Sequence, residues 1–85
     1  MFDDIFAGEP RDKFYDIIFN ANRNIVANEL DKILAELANL REIVAQKGVS
    51  EAEIFTFSAN NANLIESGLN DIYIGVVGEI LSQNE

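Results

Sequence analysis

The stretch QKGVSEAEI, Gln46 to Ile54, decides how this chain folds. Gln46-Lys47-Gly48 predicts the end of a helix, with a cation near the C-terminus and a glycine free to take the left-handed cap conformation. Val49-Ser50-Glu51-Ala52-Glu53-Ile54 predicts the start of the next. Ser50 stands as N-cap, Glu53 as its reciprocal capping-box partner, and Val49 and Ile54 are spaced as a hydrophobic staple. A helix stop and a helix start this close together predict two helices joined by a tight turn.

Working outward, Gly8-Glu9-Pro10 predicts a helix beginning at Pro10, where the missing N–H of proline is no loss, with Asp12 well placed against the helix dipole. From Val26 the apolar residues run Val26, Leu30, Ile33, Leu37, Leu40, Val44 in steps of four and three, a heptad seam that Tyr15 and Phe19 extend backwards. Glu29, Lys32, Glu36 and Asn39 fall on the far, wet side. Asn22 and Arg23 interrupt the seam, where a polar group can fix register at some cost in stability, and Asn20, Asn22 and Asn24 are weak helix formers that allow a kink there. A second apolar line, Phe14, Ile18, Ala21 and Ile25, lies opposite the seam and needs cover.

Downstream, Ala62, Ile65, Leu69, Ile72, Val76 and Ile80 form a stripe at helical spacing. Ile74, Val77 and Leu81 form another line, and Gly68, Gly75, Gly78 and Ser82 make a strip of little side-chain bulk between them. Interior glycines cost about 1 kcal/mol each relative to alanine, and close approach of another helix is the natural compensation. SANNAN, Ser58 to Asn63, is a break point. A three-helix layout over 11–47, 51–58 and 64–82 follows if Asn63 caps a fresh helix. EIFTF and DIYIGVV have strand-like composition, but helical spacing and the capping signals favour an all-α fold.

The expected architecture is one domain over residues 1–85: an arm (1–9), helix 1 (10–47) and helix 2 (51–82, with a break near 58–63 as a variant). It makes a long antiparallel helical hairpin. Both helices carry more apolar side chains than one seam hides, so pairing of two copies into a four-helix bundle is expected. The candidate self-association residues are Phe14, Ile18, Ile25, Gly68, Ile74, Gly75, Val77, Gly78 and Leu81. The monomeric alternative folds helix 2 at its asparagines and docks the arm. Phe2, Ile5 and Phe6 in MFDDIF make that arm a candidate peptide ligand for a groove, on this chain or another.

The net charge of −9 is uneven: residues 48–85 hold six acids and no Lys or Arg. Such a surface repels phosphate backbones and anionic lipid, so neither nucleic acid nor membrane is an expected direct partner. It suits a basic protein surface, with Glu51, Glu66, Asp71 and Glu79 as the candidate acidic face, or it serves solubility alone. The chain has neither cysteine nor histidine, which removes thiolate chemistry, disulfides and the usual base near neutral pH. No enzyme activity, cofactor or metal is expected. No apolar run reaches the roughly 18 residues that span a bilayer, no signal peptide opens the chain, and the expected location is cytoplasmic.

Asn63 to Ile72, NLIESGLNDI, is similar to the approach to the phosphopantetheine serine of carrier proteins, whose pattern resembles GLDSI. Here Gly68-Leu69-Asn70-Asp71-Ile72 places Asp71 where the serine would stand, without a hydroxyl to modify. Only 14 residues follow, too few for the rest of such a domain. Asp3-Asp4 and Glu51/Glu53 do not share helical faces, and no calcium-loop order occurs. The expected function is therefore a small, acidic, self-associating interaction protein that binds or modulates a protein partner. A DNA mimic is one alternative. A small-ligand binder at a subunit interface, built on Tyr15, Tyr73, Asn22 and Arg23, is another.

Overall fold

The computed structural model describes residues 9–83. Every regular element in them is helical: α1 (Pro10–Asn20), α2 (Arg23–Gln46), α3 (Glu51–Asn60) and α4 (Ala62–Gln83).

The turn between α2 and α3 follows its residues closely. Gly48 takes φ +78°, the one positive φ among the described residues. Its N–H donates to Ala45 O at 3.1 Å and the Val49 N–H donates to Val44 O at 3.2 Å, the paired bonds of a Schellman stop. The Ser50 hydroxyl accepts from the Glu53 N–H at 3.1 Å, and the Glu53 carboxylate accepts from the Ser50 N–H at 2.8 Å. The capping box is complete.

Helix 1 is not continuous over 10–47. Ala21 is extended, with φ −83° and ψ 173°. Asn22 Oδ1 accepts from the Asn24 and Ile25 N–H groups at 2.8 and 3.3 Å, so Asn22 is the N-cap of a new helix. The Asn20 side chain donates to Asp16 O at 2.7 Å and closes the end of α1. Short amide side chains compete with the backbone ladder and win here. Helix 2 breaks as well, at the single residue Asn61 (φ −128°, ψ 38°), whose N–H and side chain both donate to Phe57 O at 2.9 Å. The restart is at Ala62, ahead of the Asn63 cap that the sequence suggested.

The break at Ala21–Asn22 has a consequence for packing. It lets α1 lie against α4, which is its main contact, while α2 also packs on α4 and α3 touches α4 only slightly. One small core results: Phe14, Val26, Val76, Val77 and a fully buried Ile80, flanked by Ile17, Ile18, Ala21, Ile25, Ile33 and Tyr73. The second apolar line of α1 thus finds its cover inside the chain. No residue of α3 is buried. The radius of gyration is 15.5 Å, well above the ~12 Å of a compact 85-residue domain.

Candidate interaction surfaces

Around the core, Phe14 packs between two tyrosines. Its ring lies 4.9 Å from Tyr73 and 5.0 Å, edge-on, from Tyr15. Tyr15 stacks on Phe19 at 5.8 Å, and the Arg11 guanidinium sits 4.9 Å from the Tyr15 ring centre. This line runs along α1 from the core outward, and Phe19 at its end is 77% exposed.

Glu29 overturns its place on the wet side of α2. It is 4% exposed, the one buried charged residue among those described. One carboxylate oxygen accepts from Lys32 Nζ at 3.0 Å and from Gln83 Nε2 at 2.6 Å, tying α2 to the last turn of α4. Hydrogen bonds from Lys32 and then Gln83 hold its carboxyl below the ordinary value, against the upward push of burial. Periodicity gave no sign of this, because Glu29 reads as any i,i+3 partner of Lys32 on a solvated face.

The predicted self-association residues separate into two groups. Phe14 and Val77 are buried and Ile18 and Ile25 half-buried in the chain's own core. Gly68, Ile74, Gly75, Gly78 and Leu81 are exposed on α4. Among the described residues, a Cβ added at any of the three glycines meets nothing within 4 Å, so none of α1–α4 closes over the strip. The acidic set, Glu51, Glu66, Asp71 and Glu79, is exposed throughout. Phe2, Ile5 and Phe6 of the arm lie outside the described residues.

Of the residues suggested for small-ligand binding, the two tyrosines lie together beside Phe14. The Tyr15 and Tyr73 rings lie 6.5 Å apart, Asn22 is committed to its cap and Arg23 faces solvent. An open groove runs along α3, lined by Ala52, Glu53, Thr56 and Phe57. No cluster of three or more potential metal ligands occurs among the described residues. Nor is any described helix long and apolar enough to cross a membrane.

Among the described residues, seventeen large hydrophobic side chains are exposed, against five hydrophobic residues that are buried. They concentrate on the second half of α2, on α3 and on the first half of α4. Over the described residues the fold is all-helical, with four helices around one small core of Phe14, Val26, Val76, Val77 and Ile80. The chain belongs to the DUF2018 family, a domain of unknown function, and the match covers residues 6–85. No curated protein and no solved structure matches it.

Proposed function

We propose that this chain is a non-enzymatic interaction protein of the cytoplasm. It pairs with a second copy to complete a helical bundle, and the acidic surface of α3 and α4 engages a basic protein partner. The observation that carries this reading is the apolar surface left open on α2, α3 and α4. Covering a Leu, Ile or Phe side chain is worth about 1.5–3 kcal/mol when burial is complete. A chain of 85 residues has little stability to spare, roughly 4–13 kcal/mol in all. Association therefore contributes on the scale of the fold itself.

The charge supports the partner half of the reading. Every Lys and Arg lies in residues 1–47, so α3 and α4 carry no cation of their own, although Lys32 of α2 lies within electrostatic reach of Glu79. Charge-led capture weakens with salt, since exposed charges are screened within ~10 Å at 0.1 M. The test is a pull-down from cell extract at rising salt. A basic protein retained at 0.1 M and released by 0.5 M supports the reading. A partner held equally at both concentrations removes the acidic surface from recognition. If duplex DNA displaces the partner competitively, the protein is instead a mimic of nucleic acid.

A further inference from the structure

Residues four apart on a helix share a face, so an apolar stripe can slide by one turn, about 6 Å, and still meet apolar neighbours. The stripe of α4 has this property. Its core residues are Val76, Val77 and Ile80, with Tyr73 packed beside them. One turn earlier the same places would be filled by Ile72, Tyr73 and Val76, with Leu69 beside them. The two sets differ only by a leucine for a valine, and sets of near-equal volume are tolerated in a core. Apolar burial is non-directional and does not by itself choose between these registers.

A polar contact does choose. α2 and α4 run antiparallel where they meet: Gln83 bonds Glu29, and Glu79, one turn before it, lies within electrostatic reach of Lys32, one turn after Glu29. Among the described residues, Glu29–Gln83 is the one side-chain hydrogen bond that joins two of the four helices, the others staying within a helix or its caps. A one-turn slide of α4 puts Glu79 in the place of Gln83. Two carboxylates would then meet where Glu29 is 4% exposed, with Lys32 as a single cation between them and the amide donor gone. Like charges brought together in a buried place, and a buried acceptor left short of a donor, are both unfavourable. α3 touches α4 only slightly and buries none of its residues, so the segment leading into α4 offers little resistance to such a slide.

We propose that the Glu29–Gln83 pair selects the register of α4 against α1 and α2. Buried polar groups can fix register in helical assemblies, and here the amide stands one turn beyond a glutamate that rejects the alternative. Register selection is a property of the single chain and is independent of the self-association proposed above.

The experiment moves the amide by one turn in the full chain. Gln83→Leu combined with Glu79→Gln leaves Glu29 an amide partner only at position 79, while Glu79→Gln alone offers one at each level. The chain has no cysteine, so Asp31→Cys and Glu66→Cys, both at exposed positions, carry spin labels whose separation reports the register. Labelled chain is diluted into excess unlabelled chain so that only distances within one chain are read. Sliding α4 by one turn carries residue 66 toward residue 31 and shortens the distance by up to about 6 Å. One distance is expected without further substitution, the shortened distance in the double variant, and both in E79Q. An unchanged distance in the double variant overturns the proposal, because packing alone would then hold the register. If circular dichroism shows that the double variant has lost its helices, E79Q decides: two distances support register selection, and the original distance alone overturns it.

Discussion

Glu29 Oε2 accepts a 2.6 Å hydrogen bond from the Gln83 side chain, joining the second turn of α2 to the last turn of α4. The two residues stand 54 positions apart, and Lys32 donates to the same oxygen. Because the folded carboxyl is held below its ordinary value, the unfolded chain takes up a proton first as the pH falls. The contribution is present in full above about pH 4.3, the ordinary glutamate value. It is lost as the pH drops through the lower folded value. Glu29→Gln should therefore melt below the wild type at pH 7, with the gap narrowing as the pH falls below the ordinary glutamate value. Thermal melts across that range check it, and a gap independent of pH would contradict the assignment.

Phe14 and Ile80 hold α1 and α4 together. Phe14→Ala should cost about 3–5 kcal/mol and Ile80→Ala about 2–5 kcal/mol, the range for emptying a packed core site. Urea denaturation followed by circular dichroism measures both. Losses under 1 kcal/mol would mean that α1 does not rest on α4 in solution.

Asn22→Ala removes the N-cap of α2, a change that typically costs about 0.5–2 kcal/mol. It also removes the side chain that competes with a continuous helix. Helix content should hold or rise while stability falls, since a straight helix would lift Phe14 from Tyr73 and Val77. A parallel loss of both signals would assign Asn22 no part in the break.

At the α2–α3 turn, Gly48→Ala forces a side chain into φ +78° and should cost about 1–2 kcal/mol. Ser50→Ala should cost about 1 kcal/mol through the lost cap. Gly75→Ala and Gly78→Ala should do the opposite, adding up to about 1 kcal/mol each, because the added methyl meets open space. Destabilisation at either glycine would show that the strip is covered by something beyond the described residues.

How much of this was legible from residues alone differs from element to element. The α2–α3 turn was readable atom by atom, because capping uses local side chains at fixed offsets: Gly48, Ser50 and Glu53 each do what their chemistry requires. The bend in helix 2 was legible as a region, Ser58 to Asn63, but not as Asn61, since four neighbouring polar residues compete for one cap. The break at Ala21–Asn22 was underread. An asparagine on a heptad seam and an asparagine that caps a new helix look alike until the chain's path is known. That single difference moved Phe14, Ile18 and Ile25 from a presumed outer face into the core. The burial of Glu29 was invisible for a related reason, because its partner Gln83 is supplied by tertiary packing. Surplus apolar surface was legible; which half of each stripe would stay bare was not.

The most direct test of the account is the absolute mass of the full chain in solution, measured by light scattering from micromolar concentration upward. A particle of two chain masses is predicted, with dissociation only on dilution. A particle of one chain mass throughout that range would contradict the claim that the chain pairs with a second copy.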